Sequence, residues 1–182
     1  MARVVLIRHT AVSPHWKGRC YGRTDVGLSA EGRSTARSLA GRLIADRPDI
    51  IVSSPLRRAR ILAARIAQGA GLPLVIEPRL MECDFGAWEG RHWEDIWLES
   101  GDAMMGMVSA PASFRPGGNG ETTYEVRDRA LAWLGEQRAD ITVLAVCHGG
   151  PIAAIRGTRD SVPAASWPRL VPGYGEMFAI DT

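Results

Sequence analysis

The sequence predicts an α/β fold of three layers: a mostly parallel sheet with helices on both faces and a small helical insertion. Two observations predict it. The strand-like segments are apolar throughout, as expected when both faces of a sheet are covered. They also alternate along the chain with segments of helical period. A third observation predicts the insertion: residues 80–116 gather Trp88, Trp93, Trp97, Met104, Met105 and Met107 among several glycines and fit neither pattern.

Residues 3–7 (Arg-Val-Val-Leu-Ile) read as a buried strand, followed by a polar loop through Asp25. Ser29 is a helix N-cap by type, and Ala36, Leu39, Ala40, Leu43 and Ile44 then fall at helical spacing up to Pro48. Residues 49–53 form a second strand. Pro55 stands where a helix would open, and Leu62, Ala63 and Ile66 mark its inner side until Gly69 and Gly71 stop it. Residues 74–77 are a third short strand. After the insertion, 116–120 (Pro-Gly-Gly-Asn-Gly) reads as a flexible turn, and a helix is expected from about Glu121 to Arg138. Residues 141–147 are the strongest strand. A short helix follows Pro151, prolines 163, 168 and 172 break the next stretch, and 176–180 suits a last strand. One domain over 1–182, with a lid at about 80–116, is the expected organisation.

Composition narrows the function classes. Hydrophobic residues make up 46% and charged residues 23%, an ordinary globular balance. Net charge is +2, and no basic run carries interleaved aromatics, so nucleic acid is not an expected partner. No apolar run approaches the roughly 18 residues that span a membrane. The first ten residues run straight into a strand interrupted by Arg8 and His9, which does not suit a signal peptide. Cys20, Cys83 and Cys147 are odd in number and widely spaced, with no metal-ligand pattern. A reducing cytoplasm is the expected compartment, and neither metal nor cofactor is expected.

In an open α/β sheet, ligands bind beyond the carboxyl ends of the strands. There the first strand delivers Arg8 and His9. The second delivers Ser53, Ser54 and Pro55, with Arg57 and Arg58 directly after. The strand ending at Cys147 delivers His148, Gly149 and Gly150, and Glu82 and Asp84 follow the third strand. Guanidinium forks hold phosphate oxygens, an imidazole is a competent nucleophile, and a carboxyl can protonate a leaving alkoxide. Each residue alone has a plainer reading: a strand-end histidine is often structural, Arg57 and Arg58 can be solvated, and Glu82 can be an ordinary ion-pair partner. Their coincidence on one rim favours a site for a phosphate dianion.

These residues carry a resemblance. Leu6-Ile-Arg-His-Thr10 resembles the Arg-His-Gly signature of the histidine phosphatase superfamily, which includes phosphoglycerate mutases. Residues 53–59 (Ser-Ser-Pro-Leu-Arg-Arg-Ala), 80–90 and 146–150 (Val-Cys-His-Gly-Gly) resemble its later motifs, in order. The resemblance implies a phosphoglycerate mutase-like fold with His9 as the phosphorylated nucleophile. It implies Arg8, Arg58 and His148 as phosphate ligands, helped by backbone near Gly149, and Glu82 as the acid. Residues 18–25 (Gly-Arg-Cys-Tyr-Gly-Arg-Thr-Asp) are similar to the alpha-ribazole phosphatases, which act late in cobalamin synthesis. Arg19, Tyr21 and Arg23 are the candidates in this loop to contact the sugar or other substrate groups, or else are solvated loop residues.

The chain departs from the family pattern at Thr10, at Ile61-Leu62 in place of Gln-Thr, at the shifted turn 120–122 and at Cys147. Arg156 is the candidate for an arginine expected after His148. The expected reaction is hydrolysis of a small phosphomonoester without metal. A phosphoglycerate mutase, a phosphoprotein phosphatase and a silent phospho-ligand binder remain alternatives. The lid tryptophans and methionines either line an apolar pocket or form the lid's own core. Trp167, Val171 and Tyr174 are the candidates for a contact between two copies in a homodimer.

Overall fold

A computed structural model describes residues 2–181; Met1 and Thr182, the ends of the expected 1–182 span, lie outside the described residues. The strands are β1 (Arg3–Arg8), β2 (Ile50–Ser53), β3 (Leu74–Ile76), β4 (Thr142–Cys147) and β5 (Met177–Asp181). They form one sheet in the order β3-β2-β4-β1-β5. Only the β1–β5 pair is antiparallel among the described strands, so the mostly parallel expectation holds.

Helices α1 (Ala30–Ile44) and α2 (Arg57–Ala70) cover one face. Successive strand side chains point to opposite faces, so Val5, Ile7, Leu144 and Val146 meet Leu39, Leu43, Leu62 and Ile66 there. The alternate residues, Val4, Leu6, Val143 and Ala145, meet Ala130, Trp133, Ile152 and Ile155 on the other face. Those last residues belong to α5 (Thr123–Gly135) and α6 (Gly149–Arg159). The segment expected as a lid holds α3 (Trp93–Ser100) and the one-turn α4 (Gly106–Ser109), joined by one 3-10 segment.

Local chemistry explains the boundaries. Ser29 caps α1 as expected, its hydroxyl accepting from the Gly32 N–H at 2.8 Å. The helix expected from Pro55 begins two residues later at Arg57. Gly69 lies inside α2 rather than ending it; Gly71, with φ of 67°, is the terminator. The helix expected from Glu121 begins at Thr123 instead, because Thr122 and Glu125 form a reciprocal capping box. The helix expected after Pro151 begins earlier, at Gly149. A proline is tolerated there because first-turn N–H groups have no partner within the helix. The turn at 116–120 is not a loose connection: the Gly120 N–H donates to Pro116 O and Ala87 N–H to Asn119 Oδ1.

Candidate active site

The register of three neighbouring strands sets the site. Arg8 pairs with Cys147 across β1 and β4, and Ser53 with Val146 across β2 and β4. The next residue of each strand, His9, His148 and Ser54, therefore emerges on the same rim. The ladder runs on one step: the His9 N–H donates to Cys147 O and the Ser54 N–H to Val146 O, both at 3.0 Å. Both histidines are buried, with ring centroids 5.2 Å apart.

Hydrogen bonds orient both rings. His9 Nδ1 lies 2.8 Å from Thr10 O, and a carbonyl can only accept. Nδ1 therefore carries the proton and Nε2 the free lone pair. His148 Nε2 lies 2.7 Å from Ser54 Oγ, while its buried Nδ1 has no partner. Burial, and then the Arg58 charge, hold both imidazoles well below the ordinary histidine range. His9 is thus uncharged near neutrality.

Arg58 is fully buried at the start of α2. Its Nη1 donates to Thr24 O at 2.8 Å and its Nη2 to Gly22 O, while Nε is unpartnered. Burial pulls its pKa down and Glu82 opposes that most strongly, but an arginine keeps its charge. Arg8 Nη1 donates to Pro172 O at 2.6 Å, and its guanidinium lies 4.4 Å from the Tyr174 ring centre. Its Nε is also buried and unpartnered. Arg57, beside Arg58, is exposed, and its N–H donates to Asp25.

Glu82 is held at the start of α6. Its carboxylate accepts from the Gly150 N–H at 3.1 and 3.3 Å and from the Cys83 N–H at 2.9 Å. A Cβ on residue 150 would stand 2.2 Å from Glu82 Oε1, so only glycine admits this contact. Behind it, Arg129 donates to Glu82 O at 3.1 Å and pairs with Glu121 at 2.7 Å. Among the described residues no cluster of metal-holding side chains gathers.

The first loop contributes unevenly. Arg19 and Tyr21 line a cavity of about 380 Å³, together with Arg8, Glu82, Gly149 and Gly150. Arg23 does not line it. Its guanidinium lies on Glu121 and Asp84, and its backbone N–H donates to Glu89. Leu62 lies in the core between sheet and helices, and the half-buried Ile61 packs against it. Arg156 sits over Phe178 at 5.3 Å, away from the rim. His15 and His92 are exposed.

The lid aromatics split between the two expected roles. Trp88 is buried against Cys20 and Ile96, Trp93 and Met107 line the cavity, and Trp97 is 47% exposed. Of the three residues expected at a contact between copies, Val171 and Tyr174 are exposed and Trp167 is not. Trp167 is only 7% exposed and donates to Val162 O, so it is core. Val171 lines the cavity, and Tyr174 lies 5.5 Å from His9 with its hydroxyl 3.0 Å from that of Tyr21. Sequence reasoning therefore missed Tyr174 as part of the rim. It also missed Glu89, Glu121 and Arg129 as supports. Their partners lie as far as 66 and 153 residues away, and no local pattern announces them.

An α/β sheet with two buried imidazoles and two arginines at its carboxyl rim defines a class of phosphate-handling enzymes. The chain belongs to the histidine phosphatase superfamily, branch 1, whose family model matches residues 4–181. It is similar to the glucosyl-3-phosphoglycerate phosphatase of Mycobacterium tuberculosis, 32% identical over 92% of this chain and 79% of that one. It is likewise 32% identical to phosphoserine phosphatase 1 of Hydrogenobacter thermophilus, over 85% and 74% of the two chains. The alpha-ribazole phosphatase of Shigella flexneri has a similar structure, with a TM-score of 0.84 at 28% identity over 98% and 90% of the chains. The chain is a phosphoric monoester hydrolase. No helix among the described residues is long and apolar enough to cross a membrane.

Proposed function

We propose that the protein hydrolyses a small phosphomonoester through a phosphohistidine on His9. The observation that carries this is the tautomer. Thr10 O holds the proton on Nδ1, so Nε2 of a neutral His9 is a free nucleophile. Arg8 Nε, Arg58 Nε and His148 Nδ1 are buried without partners, and the phosphoryl oxygens supply them. The amino end of α6 adds positive potential at the same rim.

In the first step Nε2 attacks phosphorus in line, the ester P–O bond breaks, and protonated Glu82 gives its proton to the departing alkoxide. In the second, water attacks the phosphohistidine while the Glu82 carboxylate takes a proton from it, and neutral His9 is released. The arginines and the helix end offset charge building on the phosphoryl oxygens.

The finer reading is alpha-ribazole 5'-phosphate, in cobalamin synthesis in the cytoplasm. Residues 18–25 and the structural likeness to an alpha-ribazole phosphatase support it. Arg19 and Tyr21 are the loop residues placed to touch the alcohol portion, and Arg23 supports the loop. The test incubates wild type and His9→Ala with alpha-ribazole 5'-phosphate, p-nitrophenyl phosphate and 3-phosphoglycerate in EDTA and measures released phosphate. The reading expects His9-dependent release, fastest from the ribazole ester. Release that survives His9→Ala refutes the mechanism, a faster ester refutes the substrate, and interconversion of 3-phosphoglycerate without release makes the protein a mutase.

A further inference from the structure

Beyond the catalytic rim, the cavity is lined by Trp93, Met107 and Val108 from the lid and by Ala153, Ala154 and Trp167 opposite in sequence. Three polar side chains of its wall bond within the protein. The Thr123 hydroxyl donates to Met107 O at 2.6 Å, the Trp167 indole to Val162 O at 2.8 Å, and the Cys83 thiol to Asp84 O and Glu121 O. Its charged residues are Arg8, Arg19 and Glu82. Arg8 and Glu82 act on the phosphoryl group and its ester oxygen in the reading above, and Arg19 already donates to Gly90 O at 2.9 Å.

On that reading of the rim, we infer that the alcohol portion of the substrate carries an apolar body and no cationic group, and that this compartment buries that body. An ammonium taken there would lose water without gaining an ion partner. It would meet no acid but Glu82, which must hold a proton for the leaving oxygen. An apolar body gains from leaving water, and α4 packs against the 3-10 segment Ala164–Leu170 to close the compartment. This sets the chain apart from relatives whose names specify phosphoserine or glucosyl-3-phosphoglycerate. The compartment, rather than the rim, sets specificity.

The test uses esters of primary alcohols, so that leaving-group chemistry is matched. Phosphate release is followed from a series of n-alkyl phosphates, ethyl to octyl, from 2-(1-naphthyl)ethyl phosphate, and from O-phosphoserine and phosphoethanolamine. The expected result is a kcat/KM that rises about threefold per methylene until the space is filled. The naphthyl ester should exceed O-phosphoserine by at least tenfold. Val108→Trp, which fills space from the lid, should lower the ratio of naphthylethyl to ethyl phosphate turnover at least tenfold. A flat alkyl series, or O-phosphoserine matching the naphthyl ester, overturns the inference while leaving His9 chemistry intact. If wild type releases phosphate from nothing, the function reading fails instead. Quenching of tryptophan fluorescence by 2-(1-naphthyl)ethyl phosphate then tests the compartment alone. Quenching that O-phosphoserine cannot reverse sustains the inference, and its absence or ready reversal refutes it.

Discussion

Arg58 holds the first loop and, in the function proposed, the phosphate as well. Two of its nitrogens hold the carbonyls of Gly22 and Thr24, and the third is unpartnered. A lysine ammonium cannot span those acceptors and a phosphate together. Arg58→Lys is therefore expected to lower kcat/KM about a hundredfold, the scale of losing one charge-stabilising donor. Steady-state kinetics on any accepted ester checks it. The two imidazoles make a separate prediction. Their folded pKa values lie below the unfolded value of about 6.5. Between those values the unfolded chain binds protons that the folded chain refuses. Their contribution is therefore complete above about pH 6.5 and is lost as pH falls below it. The slope is at most about 1.4 kcal/mol per pH unit for each ring. Urea melts at pH 7.5 and 5.5 should show this loss, and His148→Gln should reduce it by about one proton. An unchanged slope would mean that His148 does not titrate differently on folding. At this scale the sequence was readable wherever a residue sits at a strand end: Arg8, His9, Arg58 and His148 all fall on or beside the rim. Tyr174 and Trp167 were not readable, because a proline-broken stretch has no period from which burial can be inferred.

The amino end of α6 is the element on which the chemistry turns, since it carries His148 at its cap and Gly150 against Glu82. Alanine is a better helix former than glycine by about 1 kcal/mol, yet its Cβ would collide with Glu82 Oε1. Gly150→Ala should therefore keep or raise the melting temperature while lowering kcat at least tenfold, with little change in KM. A variant as active as wild type would show that Glu82 needs no such contact. Helix α5 offers a purely structural contrast. Thr122→Ala removes a capping box and should cost about 1 kcal/mol, lowering the melting temperature by about 2–4 °C with catalysis intact. Strands β1 to β4 were legible because they are apolar and end in polar rim residues. The helix starts were less so. Capping at Thr122 depends on a reciprocal contact with Glu125, and Pro151 looks like a boundary although it is compatible with a first turn.

Across the whole molecule, one carboxylate gathers several of the bonds that tie residues 80–116 to the first loop. Glu89 accepts from the Arg23 and Thr24 N–H groups at 2.7 and 2.8 Å and from the Thr24 hydroxyl at 2.5 Å. Hydrogen bonds to a charged group contribute about 1.5–3 kcal/mol each. Glu89→Ala should cost at least about 3 kcal/mol in urea melts and speed amide exchange at residues 22–25. Unchanged exchange there would mean that the loop is held by its other bonds, those to Arg58 among them. This tie joins residues 65 and 66 positions apart, which is why the motifs revealed the rim but not the brace that holds it.

Strand β1, which leads into His9, pairs among the described strands with β4 and β5. Arg8 is further clasped by Glu176 and Gly175, whose backbone bonds to it are 3.0 and 3.1 Å. During synthesis His9 thus leaves the ribosome well before its neighbours on either side, which follow at residues 142 and 177. Contacts so distant along the chain slow folding, and β1 waits as an unpaired apolar strand until β4 has emerged. A growing chain that has not reached β5 lacks one wall of the site, so the rim is completed only when β5 docks.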